Sequence, residues 1–152
     1  MTSPGLTEAP LLERLKRRPW GRVPGLHAVV LHGSLLRGGA RGPRDVDLVV
    51  FAEPGLEDEA ALGAAELAEE AAGLEADVYV VSDPGDADCV LVLEALSRGV
   101  VLYADERGRE MIVRVAEICS DYLEMKRRLR YTETLVEAVR RRAAREAPRE
   151  NL

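Results

Sequence analysis

Gly33-Ser34 stands ten residues ahead of Asp45-Val46-Asp47, so the stretch Leu31 to Phe51 carries the pattern G-S-x(10)-D-x-D. Residues i and i+2 of an extended strand share a face, and Asp45 and Asp47 therefore aim two carboxylates at one spot. Hard oxygen donors placed in this way suit Mg²⁺. Gly33-Ser34 is expected to close one strand and open a short helix through Leu35–Arg37, where free N–H groups, a hydroxyl and a positive dipole end can hold a phosphate. A third acid is expected on a neighbouring strand facing the same way, and Asp77 in Glu75-Ala-Asp-Val-Tyr-Val-Val fits. Mg²⁺ ions bridging such acids would orient the α-phosphate of a nucleoside triphosphate and lower the pKa of an acceptor hydroxyl. Asp77 would then serve as ligand and take the hydroxyl proton.

The elements that must position these residues can be read from the apolar pattern. A short helix is expected from Pro10 to Arg18, with Leu11, Leu12 and Leu15 on one face and Pro10 in the first turn. Leu26–Leu31 is a buried strand that stops at His32-Gly33-Ser34, and a stretch rich in Gly and Arg, Arg37 to Arg44, leads to a second strand over Val46–Phe51. Leu56 to Ala72 reads as a helix with Leu56, Leu62 and Leu67 inward and the acids outward, closed by Gly73. Ala76–Val81 is a third strand, Asp86 to Arg98 a helix stopped by Gly99, and Val100–Tyr103 a fourth short strand. Strands and helices alternate, so the fold class is α/β or α+β with a small mixed sheet flanked by helices.

From Glu110 to Ala147 there is no Gly or Pro, and apolar residues from Met111 to Ala143 recur by fours and threes, interrupted only by Thr132. A continuous helix of about 33 residues would extend roughly 50 Å, whereas a domain of this length has a diameter close to 40 Å. Either a straight helix overhangs and needs a partner, or the chain breaks near Arg130–Glu133 and folds back. In the first case Met111 to Tyr122 packs on the home sheet and Met125 to Val139 is buried in another chain. Lys126, Arg127, Arg128 and Arg130 favour an acidic partner surface, such as the Glu57–Glu70 helix of a second copy, which would make a homodimer.

The 152 residues fit a single domain, with a core over about 26–105 and a helical extension over about 109–147. No apolar run approaches the roughly 20 residues of a membrane span, and the start of the chain lacks the features of a signal peptide. Two cysteines, Cys89 and Cys119, fit a reducing cytoplasm and have no ligands at zinc spacing. A net charge of −6 and a pI near 5.1 argue against a protein that coats nucleic acid. The charge is unevenly spread. Seven acids and no base lie between Glu53 and Glu70, while eight bases face two acids from Lys126 to Arg145.

Other acidic and basic residues read as structural. Asp86-Ala-Asp88 opens a helix and caps it, and Asp83 to Glu94 places Gly85 and Ala87 where a calcium loop needs ligands. His32, beside Gly33, either touches nucleotide or packs at the strand end. There is no phosphate loop of the G-x(4)-G-K type, no dinucleotide fingerprint, no nucleophile elbow and no internal repeat.

The G-S, the Arg37-Gly38 that follows it, the D-x-D and the later strand Asp together resemble the minimal nucleotidyltransferases of the DNA polymerase β superfamily. Ala87 to Arg130, with Leu96-Ser-Arg-Gly99, Val101-Leu-Tyr103, Asp105 and Tyr122, is similar to the MntA-like antitoxins paired with HEPN toxins. The resemblance implies a polymerase β palm-like fold with a long C-terminal helix. It also implies transfer of AMP from ATP to a hydroxyl, in this branch a tyrosine of a HEPN-type toxin. Gly33, Ser34 and Arg37 would bind the triphosphate, and Asp45, Asp47 and Asp77 would carry Mg²⁺. Arg44 departs from the pattern, since a small or hydroxyl residue is usual just before the first Asp. Two other readings stay open: an idle antitoxin that blocks its partner by binding, and a transferase acting on a small hydroxylated molecule.

Overall fold

The structure, a computed structural model, describes residues 4–33 and 45–146. Helix α1 (Pro4–Lys16) leads into strand β1 (Leu26–His32); β2 (Asp45–Ala52), α2 (Glu57–Ala72) and β3 (Glu75–Val81) follow. A 3-10 turn at Pro84–Asp86 precedes α3 (Cys89–Arg98), then β4 (Val100–Ala104) and α4 (Glu106–Glu146) complete the chain.

The four strands form a mixed sheet in the order β3-β2-β1-β4, with β2 and β3 parallel and β1 antiparallel to both neighbours. The central strands β1 and β2 are covered on both faces, which is why Ala28–Leu31 and Leu48–Ala52 are uninterrupted apolar runs. Val29, Leu31, Val46, Leu48 and Val50 pack against α1 and α2 on one face. Ala28, Val30, Val49 and Phe51 pack against α3 and the first turns of α4 on the other. The result is three layers, helix on sheet on helix.

Two packing details differ from the sequence reading. Helix α1 begins at Pro4, so Pro10 lies inside the helix, and burial of Leu11 and Leu15 offsets the backbone hydrogen bond that an interior proline forgoes. In α2 the inward face is Ala60, Ala64 and Ala68, all fully buried, with Leu67 packed against the same core as expected, while Leu62 is 63% exposed and Leu56 is also exposed. Small side chains spaced by four let the helix backbone lie close to the sheet, and closeness rather than side-chain size decides which face turns inward.

Helix α4 runs unbroken through Arg130–Glu133. Asp105 starts it, its Oδ1 accepting the Gly108 N–H at 2.7 Å. Met111, Val115 and Cys119 are buried against the sheet, whereas Tyr122 is 48% exposed, so the packed portion ends about one turn earlier than expected. Every residue from Glu124 to Glu146 is exposed, and at 1.5 Å per residue the helix beyond Cys119 reaches about 40 Å. Cys89, at the start of α3, is joined to Cys119 by a disulfide with a Cα–Cα distance of 5.0 Å. The two cysteines, read from the sequence as fitting a reducing cytoplasm, are instead joined as a covalent staple between α3 and α4. No helix among the described residues is long and apolar enough to cross a membrane.

Candidate active site

The site lies at the end of the sheet where β1 finishes and β2, β3 and β4 begin. His32 of β1 pairs in register with Asp47 of β2, and Asp47 pairs with Asp77 of β3. The three residues form one row across three strands and all line a cavity of about 480 Å³. They point to the side of α3, the same side as Val49 and Tyr79 two residues further along their strands.

Gly33 ends the row. Its φ is +85°, and a Cβ built on it would fall 2.2 Å from Oδ2 of Asp47, so the chain can leave β1 past the carboxylate only without a side chain at this position. Gly33 also lines the cavity. Asp45 shares the face of Asp47, two residues earlier, but it sits exposed at the first position of β2, opposite Glu75, and does not line the cavity. Ser34, Arg37 and Arg44 lie outside the described residues.

The facing wall is α3. Its N-cap is Asp88, whose Oδ1 accepts the Leu91 N–H at 3.3 Å and whose own N–H donates to the Tyr79 hydroxyl oxygen at 2.8 Å. The capping role read from the sequence is therefore present, and Asp88 lines the cavity as well. Leu91, Glu94 and Arg98, spaced by three and four, present one stripe of the helix to the cavity. Sequence reasoning missed Glu94 and Arg98. The stripe was legible as a period, but nothing in the period tells which side of an amphipathic helix meets a functional cavity.

Among the described residues no three His, Cys, Asp or Glu side chains converge into a metal cluster by themselves. Mg²⁺ does not need one, because it commonly takes one or two carboxylates and fills its remaining positions with water and substrate phosphates. The oxygen donors of Asp47 and Asp77, on adjacent strands at one level, fit that ion. Carboxylates on one side, a glycine turn open to backbone approach and an arginine on the opposite wall are chemically suited to a phosphate-bearing ligand.

The sequence matches the profile of the family Polymerase beta, Nucleotidyltransferase over residues 21–108, a span that contains both strands of the motif, β3 and α3. No curated protein matches the sequence. Solved structures share the fold. A Shewanella oneidensis protein is 16% identical with a TM-score of 0.51, over 86% of this chain and 97% of its own. A toxin-antitoxin crystallised with AMP-PNP is 20% identical, with a TM-score of 0.51, over 86% of this chain and 96% of its own. A mutant of the toxin-antitoxin MntA-HpeT is 17% identical, also with a TM-score of 0.51, over 87% of this chain and 97% of its own.

Proposed function

The chain belongs to the polymerase β nucleotidyltransferase family, and on that premise we propose that it transfers AMP from ATP to a hydroxyl, with Mg²⁺, as the antitoxin of a HEPN-type toxin whose tyrosine is the acceptor. The observation that carries this reading is the row of Asp47 and Asp77 beside the Gly33 turn in a single cavity. Mg²⁺, held by Asp47 and Asp77 with Asp45 at the rim, would neutralise phosphate charge and lower the pKa of the acceptor hydroxyl.

The chain's own residues do the rest. Gly33 and Ser34, with Arg37, hold the triphosphate beside the first carboxylates. Asp77, on the edge strand and open to solvent, takes the proton of the acceptor hydroxyl. The hydroxyl oxygen forms a bond to the α-phosphorus, the bond from that phosphorus to the oxygen bridging to the β-phosphate breaks, and pyrophosphate leaves with the electron pair. The likeness to a toxin-antitoxin crystallised with AMP-PNP supports the donor class through the shared fold. The exposed apolar residues of α4, Met125, Leu129, Val136 and Val139, give the partner a surface. In its absence they pair two copies of this chain.

The reading is tested by incubating the protein and its toxin with Mg²⁺ and ATP labelled at either the α- or the γ-phosphate. Label should reach the toxin from the α-position only. Label from the γ-position would make the protein a kinase, and no label from either would leave an antitoxin that acts by binding.

A further inference from the structure

The cavity is electrically lopsided. Among the described side chains that line it, Asp47, Asp77, Asp88 and Glu94 are acidic, and Arg98 alone carries a permanent positive charge. Metal ions at the strand acids, together with Arg37, would offset part of that negative charge, and a polyphosphate donor would gain from a further cation on the facing wall.

Arg98 is placed to supply it. Gly99, which follows, lies so close to β1 that a Cβ there would meet the Leu31 carbonyl oxygen at 2.4 Å and the Ala95 carbonyl oxygen at 2.3 Å. The last turn of α3 therefore abuts the end of β1, and Arg98 flanks the His32-Gly33 turn from the opposite wall. The start of α3 is held by the Asp88 to Tyr79 hydrogen bond and by the Cys89–Cys119 disulfide, so the helix presents its stripe from a fixed frame. Arg98 is exposed and has no ion-pair partner among the described residues. Its guanidinium is thus available, and its planar fork of N–H groups matches two phosphate oxygens. An arginine at a helix C-terminus also complements the helix dipole, which would make its role one of stability alone.

Building on the nucleotidyl-transfer reading, we propose that Arg98 binds the β- and γ-phosphates of the donor nucleotide and makes the site select a triphosphate over a monophosphate. It also holds the charge that grows on pyrophosphate as that group leaves.

The test is direct binding, measured by calorimetry with Mg²⁺-ATP and with AMP, for the wild-type chain, Arg98→Gln and Arg98→Lys, alongside their melting temperatures. Loss of a charge-assisted contact should weaken Mg²⁺-ATP binding about 10- to 100-fold in Arg98→Gln. AMP affinity and the melting temperature should stay near wild type, and Arg98→Lys should recover part of the ATP affinity. If Arg98→Gln binds ATP as the wild type does, or loses ATP and AMP affinity equally, Arg98 is not the polyphosphate ligand although the nucleotide site stands. If the melting temperature falls while the ATP preference is kept, Arg98 is a helix-end charge. If the wild-type chain binds no Mg²⁺-ATP, the nucleotidyl-transfer reading fails together with this one.

Discussion

Gly33 and Asp47 are locked together: a Cβ on the glycine would lie 2.2 Å from Oδ2 of the aspartate and 3.0 Å from its Cγ. The turn that would receive phosphate and the carboxylate that would receive metal therefore share one packing contact, and a side chain cannot be added at Gly33 without moving Asp47. Gly33→Ala meets two penalties, the left-handed φ of +85°, which costs about 1–2 kcal/mol for a residue with a Cβ, and displacement of the Asp47 carboxylate. The variant should melt about 2–8 °C lower and lose the rise in melting temperature that Mg²⁺-ATP gives the wild type by binding the native state. A Gly33→Ala protein with an undiminished Mg²⁺-ATP shift would show that the contact does not organise the site.

Asp77 separates binding from turnover. It is exposed on the edge strand β3, so its removal leaves the core intact, and the other acids and the glycine turn still hold the donor. Asp77→Ala should keep Mg²⁺-ATP affinity within about 3-fold while the transfer rate falls by about 100-fold or more. A variant that unfolds, or one that transfers at the wild-type rate, would remove Asp77 from the mechanism.

At the opposite end of the sheet, His27 joins three elements. Its Nδ1 lies 2.8 Å from Asp105 Oδ2, just before α4, and its Nε2 lies 2.8 Å from Glu53 Oε2, just after β2. Burial alone would lower the pKa of His27, but the hydrogen bonds to Asp105 and Glu53 and the charges of both carboxylates outweigh it and raise the pKa above the ordinary value of 6.5. The nearby Tyr103 phenol is pushed upward by burial and by Asp105, so it stays neutral where His27 titrates. A raised folded pKa means that the contribution is complete below 6.5 and is lost as the pH rises through the folded value. The melting temperature of the wild type should accordingly fall as the pH rises above about 6.5. His27→Gln should flatten that fall and be less stable at the acidic end by about 1–2 kcal/mol. Parallel pH profiles for the two proteins would contradict the assignment.

How much of this was legible beforehand follows the physics of each element. β1 and β2 are readable because central strands are apolar on both faces, and the i, i+2 rule alone puts Asp45 and Asp47 on one face. That rule is blind to depth. Asp47 sits one register level inside the cavity with His32 and Asp77, whereas Asp45 is at the strand's first residue, beside Glu75. On α2 Leu67 packs inward as read, but Leu56 and Leu62 do not, because leucine outranks alanine in hydrophobicity while the sheet accepts only a helix that approaches closely. The absence of Gly and Pro allowed a continuous α4 but left a break near Arg130–Glu133 open, and the helix runs unbroken through it. The disulfide and the Arg98 wall were not legible, since both depend on where α3 lands against β1 and α4, a contact between segments distant in sequence.

The outer half of α4 makes a claim about assembly. Leu129, Leu135, Val136 and Val139 are 55%, 52%, 42% and 58% exposed, on a helix with no described neighbour beyond its first turns. Without toxin the protein should be a dimer through this face. Leu129→Gln combined with Val136→Gln should give monomers that bind Mg²⁺-ATP with wild-type affinity, because the cavity is built from other elements. Light scattering that finds the unmodified chain monomeric at high micromolar concentration would rule out the dimer and leave the face to the toxin.

The central claim is that carboxylates on β2 and β3 direct AMP onto a partner's hydroxyl, and the most direct measurement is the intact mass of the HEPN-type toxin after incubation with this protein, Mg²⁺ and ATP. The account predicts a toxin heavier by one or more AMP units, with fragmentation placing the adduct on a tyrosine. It predicts no adduct with Asp47→Asn, which keeps the shape of the side chain and removes its charge. An unmodified toxin with the wild-type protein, or an equal adduct with Asp47→Asn, would contradict it.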